Sequence, residues 1–268
     1  MTKTLIFTDM DATLLDHYTY SFEAAKTTLG MLKSKKIPVI PTTSKTYAEM
    51  QPLMERIGLK GPFIVENGAA IYIPSSCLEN NSNRTIDENG FWCHQFIAGK
   101  DHWIGLLSQL KNQYAGQYKQ FSKMSISEIQ DCTGLDAESA SLAVQREFGE
   151  PVLWLGNDAK KAKFIDAIKD KGASVLEGGR FIHVSGECDK GKALKWLANK
   201  YKNQYKTDTK TIALGDSNND IAMLEAADVA VRILSPANPP PYVNKDKVYT
   251  STLMGPEGWS EMLTQLLS

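Results

Sequence analysis

Thr4-Leu5-Ile6-Phe7-Thr8-Asp9-Met10-Asp11-Ala12-Thr13-Leu14-Leu15-Asp16 decides how the rest of the chain is read. Leu5, Ile6 and Phe7 form a short apolar run rich in β-formers, the pattern of a buried strand. Two aspartates, one residue apart, follow it directly. Open α/β sheets gather ligands at the carboxyl ends of their strands. Carboxylates this close repel each other unless a cation lies between them. The same residues also suit a strand running into a loop whose aspartates cap the next element. The stretch alone supports both readings.

Working outward, Phe22 to Lys35 reads as a helix, with Phe22, Ala25, Leu29 and Leu32 along one face. Ile37-Pro38-Val39-Ile40-Pro41 is the next extended run, ending in Thr42-Thr43-Ser44-Lys45. A helix from Tyr47 to Ile57 follows, then Phe63-Ile64-Val65, a third strand ending in Glu66-Asn67-Gly68-Ala69. Strands and helices alternating through short connections predict a parallel sheet with right-handed crossovers. Polar residues recur at each strand's carboxyl end: Asp9 and Asp11, then Thr43 to Lys45, then Glu66 and Asn67. That recurrence favours a site.

From Ser75 to Gly90 the composition turns to Asn, Ser, Glu and Asp, the exit from a first domain. A mixed stretch follows, with strands at Phe91 to Ile97, Val152 to Leu155, Ser174 to Leu176 and Phe181 to Val184. Helices are expected at Asp101 to Tyr114, Ala137 to Phe148 and Asp158 to Lys171, and Gly178-Gly179 signals a hairpin turn. This predicts a core of residues 1–84 and 186–268 interrupted by an inserted domain at 85–185. The first pattern resumes with a helix from Asp189 and a strand Thr211 to Leu214, which ends in Gly215-Asp216-Ser217-Asn218-Asn219-Asp220. A helix Ile221 to Ala227, a strand Val229 to Val231 and a helix from Pro256 complete the chain. Ser235-Pro236-Ala237-Asn238-Pro239-Pro240-Pro241 reads as a local stiff loop.

At 268 residues the chain can bury a substantial core. A net charge of −1 gives no general basic field for nucleic acid. No apolar run approaches the ~18–20 residues that span a bilayer, and Met-Thr-Lys-Thr lacks the apolar core of a signal peptide. Cys77, Cys93, Cys132 and Cys188 are far apart and lack metal-finger spacing, which suits reduced thiols in a cytoplasmic protein.

If the strands before Asp9/Asp11 and Asp216/Asp220 are neighbours, four carboxylates converge on one crevice. Hard oxygen ligands suit Mg²⁺, which polarises phosphoryl oxygens. One aspartate can then act as nucleophile and its neighbour two residues on as acid and base. Thr43 offers a hydroxyl and a backbone N–H to a phosphoryl oxygen, and Lys190 a fixed positive charge.

Asp9-Met10-Asp11-Ala12-Thr13-Leu14, Thr43, Lys190 and Gly215-Asp216-x-x-Asn219-Asp220 together resemble the four ordered motifs of haloacid dehalogenase superfamily phosphatases. The resemblance implies an α/β fold, a three-layer Rossmann-like core with a mostly parallel sheet, and an inserted α+β cap domain of the C2B type. It implies Asp9 as nucleophile, Asp11 as acid/base, and Thr43 and Lys190 as holders of the phosphoryl group. Mg²⁺ would be held by Asp9, the backbone carbonyl of Asp11 and Asp216, with Asp220 a further ligand or just behind. A narrower similarity, to the mannosyl-3-phosphoglycerate phosphatase family, lies in Thr43-Ser44-Lys45-Thr46, Val65 to Ala69, Arg146 to Pro151, Gly178 to His183 and Asp189 to Ala193. That family hydrolyses a phosphorylated glycoside with Mg²⁺. By the same resemblance Ser44, Lys45, Glu66, Asn67, Arg180 and Asn219 are the substrate-binding residues; Lys45 and Arg180 suit its anionic groups. Two residues depart from the pattern. Ala12 stands where the family usually has Gly, and the loop is expected to form because Ala tolerates most negative-φ geometries; Gly149 stands where it often has Ser.

Blander roles remain for some positions. Asp220 also fits a helix-start carboxylate, Glu66-Asn67-Gly68 a tight turn, Arg180 an exposed hairpin residue, and His183 a packed histidine. Trp92, Trp103, Trp154 and Trp196 read as core or interface residues. Rival activities are a phosphatase of another sugar phosphate, a sugar phosphomutase with the same cap, and a Mg²⁺-binding protein without turnover.

Overall fold

The computed structural model describes residues 2–80, 85–178 and 180–268. The expected boundary at 84 and the Gly179 half of the expected hairpin turn lie outside them. The chain divides into two compact units: residues up to Ser44, Met54–His94 and Asp189–Ser268 form one, and Lys45–Leu53 with Gln95–Cys188 form the other.

The first unit is built on a five-stranded parallel sheet. Its strands are β1 (Lys3–Thr8), β2 (Val39–Pro41), β10 (Thr209–Gly215), β11 (Val229–Leu234) and β12 (Val248–Met254), in the order β12-β11-β10-β1-β2. The central strands carry unbroken apolar runs because helices cover both faces, and Leu5, Ile6, Phe7, Ile212, Ala213 and Leu214 are all buried. Helix α7 (Lys190–Tyr205) packs with α8 (Ile221–Ala226) against β10. Helix α9 (Gly255–Leu267) packs with α1 (Lys26–Ser34) and against β11 and β12. The α/β three-layer reading of the sequence holds.

Several strand assignments differ from expectation. Phe63–Val65 (β3) was expected in the parallel sheet, but it pairs antiparallel with β4 (Ala70–Pro74) in a three-stranded sheet completed by β5 (Phe91–Gln95). Among the described residues a single isolated parallel bridge, Thr42 to Ile64, ties it to the β2 side. Pro38 precedes that short strand and Pro41 ends it, and neither has an N–H to extend a ladder. Strands β4 and β12 were not anticipated: the first is an apolar run with no polar alternation, the second a Thr- and Ser-containing stretch after prolines.

In the second unit a four-stranded antiparallel sheet runs β6-β7-β9-β8, with β6 (Tyr118–Gln120), β7 (Glu150–Trp154), β8 (Ser174–Gly178) and β9 (Phe181–Ser185). Helices α3 (Lys100–Leu110) and α6 (Asp158–Lys169) bury Trp103, Leu107, Phe164 and Ile168 with Val152, Ile182 and Val184 of the sheet. Helices α4 (Ile126–Thr133) and α5 (Ala137–Ala143) surround Phe121 and Ile129 in a smaller cluster. Helix α2 (Tyr47–Ile57) begins with a capping box: Glu49 N donates to Thr46 Oγ1 at 3.1 Å, and Thr46 N to Glu49 Oε2 at 2.8 Å. No helix among the described residues is long and apolar enough to cross a membrane, and all four cysteines are thiols rather than disulfides.

Candidate active site

Strands β1 and β10 are neighbours, paired so that Thr8 faces Leu214, and both end at the same edge of the sheet. Asp9 N donates to Leu214 O at 2.9 Å, which carries the ladder one residue past β1. Asp9 and Asp216 are therefore delivered to one edge by strand register alone. Beyond Asp9 the chain turns sharply: the N–H groups of Thr13 and Leu15 both donate to Met10 O, at 3.3 and 2.8 Å. The turn places Ala12 at φ +58°, not the negative φ expected for it. An L-residue in this left-handed region costs roughly 1–2 kcal/mol.

Lys190 opens α7 behind Asp189, whose Oδ1 accepts from Lys192 N at 2.7 Å and caps the helix. The Lys190 side chain is wholly buried, and its Nζ donates to Asp9 Oδ1 at 2.6 Å and to Asp220 Oδ1 at 2.7 Å. Burial alone would lower the lysine's pKa, but the charges of Asp220 and Asp9 reverse this and hold it above its ordinary value. Burial raises Asp9 well above the usual carboxylate range; Lys190 opposes the shift, and Asp220 and Asp11 add to it. Two glycines let this lysine sit so deep. A Cβ on Gly191 would lie 2.2 Å from Ala222 O, and one on Gly68, at φ +95°, 2.2 Å from Asp189 O.

The other two carboxylates differ in how full they are. Asp220 Oδ1 takes Lys190, while Oδ2 takes the backbone N–H groups of Asp216 and Ser217, each at 3.1 Å. Asp216 is held more lightly: Thr13 Oγ1 donates to Oδ1 at 3.4 Å and Asn238 Nδ2 to Oδ2 at 3.3 Å. Burial raises the Asp216 pKa and the Asp220 charge adds to that, against hydrogen bonds from Ser235 and Asn238. One oxygen from each of Asp9, Asp216 and Asp220 lies within 4.8 Å of the others, so the three could hold a metal ion. An all-oxygen anionic set fits a hard divalent cation such as Mg²⁺. Asp220, whose two oxygens accept from three N–H donors and the Ser217 hydroxyl, has the least capacity left for it.

The remaining sequence-derived residues fall into two groups. Thr43 is buried at the end of β2; its N–H, expected to be available, donates to Ile64 O at 3.0 Å, so the expectation narrows to its hydroxyl. Its carbonyl accepts from Asn67 N at 2.9 Å, and Asn219 Nδ2 donates to Asn67 Oδ1 at 3.1 Å. Glu66 and Asn67 both adopt positive φ, at 46° and 58°, so the tight turn read from Glu66-Asn67-Gly68 is real. Ser44 ends the first unit's opening segment, whereas Lys45 and Arg180 belong to the second unit, where Arg180 Nη1 donates to Asp131 O at 3.3 Å. Sequence reading missed Thr13, Ser235 and Asn238. The last two each precede a proline, which was the one available signal.

A match to the haloacid dehalogenase-like hydrolase family extends over residues 6–235. The chain belongs to that family. It is 35% identical over 266 residues to a glucosyl-3-phosphoglycerate/mannosyl-3-phosphoglycerate phosphatase from Methanococcoides burtonii, covering 99% of this chain and 97% of that protein. A protein of the same name from Persephonella marina is 34% identical, over 98% and 97% of the two chains. Among solved structures, a haloacid dehalogenase-like hydrolase from Bacteroides thetaiotaomicron superposes with a TM-score of 0.71 at 15% identity, covering 99% of this chain and all of that one. At that identity the likeness is one of fold.

Proposed function

We propose that this chain is a Mg²⁺-dependent phosphatase that removes phosphate from a glycosyl-3-phosphoglycerate, mannosyl or glucosyl, through an aspartyl-phosphate. The observation that carries the reading is the buried Lys190 joined to Asp9 and Asp220 beside Asp216. The substrate class rests on the named relatives matched over nearly the whole chain.

Asp9 attacks the phosphorus through the oxygen that Lys190 does not hold, and the ester P–O bond breaks. Asp11 donates a proton to the leaving oxygen, then takes one from the water that cleaves the acyl phosphate. Lys190 and the Thr43 hydroxyl neutralise and orient the phosphoryl oxygens. Asp9, the Asp11 carbonyl and Asp216 would hold Mg²⁺, which would supply the charge that lets two anions approach. Asp220 holds Lys190 in line. Ser44, Glu66, Asn67 and Asn219 contact the substrate, as do Lys45 and Arg180 of the second unit, which serves as the cap and excludes water. The setting is cytoplasmic, in keeping with four cysteines kept as thiols.

The test is phosphate release from a panel of phosphate monoesters with and without Mg²⁺. Glycosyl-3-phosphoglycerates are expected to outrun hexose phosphates, and Asp9→Asn to lose at least ~10³-fold in kcat. Equal activity of the variant removes Asp9 as nucleophile. Isomer instead of free phosphate, on adding a sugar bisphosphate, replaces the phosphatase with a mutase.

A further inference from the structure

The connection from β11 to β12 contains Ser235-Pro236-Ala237-Asn238-Pro239-Pro240-Pro241, and the Asn238 side chain reaches Asp216. Asn238 Nδ2 donates to Asp216 Oδ2 at 3.3 Å. Thr13 Oγ1 approaches Oδ1 from the opposite side in sequence, 203 residues away. Asp216 lies at the end of β10, and nothing in its own strand fixes the plane of its carboxylate. The donors that do so come from the turn after β1 and from this loop.

The placement of prolines explains why such an exposed loop can act as a clamp. Ser235 precedes Pro236 and Asn238 precedes Pro239. A residue before proline is confined to extended backbone, and proline fixes its own φ. Asn238 is thus restricted before it meets Asp216, so little backbone entropy is lost in holding it. Arg232 Nη1 donates to Pro241 O at 3.4 Å and ties down the far end of the segment.

We infer that Asn238 is a positioning residue for the metal site: the proline-braced loop orients Asp216 toward a divalent cation and thereby sets the cation's affinity. The inference rests on the Mg²⁺ reading of the site given above and adds residues outside its four sequence motifs. A carboxylate oxygen that accepts one long hydrogen bond keeps lone-pair capacity for a metal, and outer partners of this kind typically tune affinity by about 10–100-fold.

The test measures metal binding directly, by Mg²⁺ titration calorimetry and by the free Mn²⁺ electron paramagnetic resonance signal. The wild type is compared with Asn238→Leu, Pro239→Ala and Asp216→Asn. Asn238→Leu is expected to weaken Mg²⁺ and Mn²⁺ by roughly tenfold or more, with an activity deficit that closes as Mg²⁺ is raised. Pro239→Ala, which keeps the amide but frees its backbone, is expected to weaken binding by a smaller factor. If Asn238→Leu does not fold, Pro239→Ala decides the matter alone. Wild-type affinity in the folded variants overturns the inference while leaving the Mg²⁺ site standing, because Asp216→Asn still loses the metal. Absence of binding to the wild type, or equal binding by Asp216→Asn, takes down the Mg²⁺ reading itself and this inference with it.

Discussion

Two lysine–carboxylate contacts, one in each unit, use the same chemistry to opposite ends. In the first unit Lys190 is fully buried between Asp9 and Asp220. In the second, Lys119 pairs with Glu128 at the start of α4, with side chains 35% and 44% exposed. Water can solvate the second pair if it separates, so the pair adds little and serves to cap a helix. Water cannot reach the first. There each charge depends on the others, and the set persists only because strand register, two close-packed glycines and a helix start deliver all the partners together. Burial, more than residue type, separates a site from a solvated surface.

The sharpest way to break that comparison is to remove each lysine in turn. Lys190→Met strands two carboxylates side by side, and should destabilise the protein by about 3–5 kcal/mol. It should also cut phosphate release on the order of 10²–10³-fold. Lys119→Met should leave the melting temperature within experimental scatter and activity unchanged. Thermal unfolding and phosphate release of the two variants side by side check this, and comparable losses would erase the distinction.

Next in size is the packing that carries Lys190 inward. Gly191→Ala places a methyl 2.2 Å from the Ala222 carbonyl, a backbone atom that cannot step aside cheaply. A cost of about 1–3 kcal/mol is expected, together with lost activity, because α7 must shift and take Lys190 with it. Denaturant midpoints and kcat measured on the same preparation test it; a stability loss with full kcat would show that Lys190 tolerates the displacement.

Much of this first unit was legible in the sequence. Unbroken runs such as Leu5 to Phe7 and Ile212 to Leu214 can only be strands covered on both faces, and the acids that follow them mark the ligand edge. Thr43, Lys190, Asp216 and Asp220 could be named because each stands at the end of such a run or the start of a strong helix. Register was not legible, nor was the number of donors each acid receives, since half of Asp220's donors are backbone N–H groups. Asn238 stayed hidden because it lies 22 residues from Asp216 in a segment without periodicity. The second unit was harder throughout. Strand β6 has three residues and α5 seven, too short to display a period, and α5 stops at Ala143 where apolar spacing continued to Phe148.

A smaller effect tests the backbone of the opening motif. Ala12 sits at φ +58°, where glycine carries no penalty. Relief of that strain, less the extra entropy glycine has when unfolded, predicts that Ala12→Gly raises stability by about 0.5–1 kcal/mol. Urea midpoints measure it. A decrease would mean that contacts of the buried Ala12 methyl outweigh the strain.

The smallest effect belongs to the exposed pair and is visible only in acid. Hydrogen bonds from Lys119 come first, then those from Ser125, and together they pull the Glu128 pKa from 4.5 down to about 2. A carboxylate whose pKa is depressed on folding contributes stability above its unfolded value and loses it as pH falls through the folded one. The support that Glu128 gives α4 is therefore complete above pH 4.5 and gone by about pH 2. Glu128→Gln lacks this term at every pH, so the small stability gap between it and the wild type should narrow as pH is lowered from 5 towards 2. Paired unfolding curves over that window check the sign: a gap that widens in acid would mean that the carboxylate, exposed as it is, gains nothing from its partners on folding.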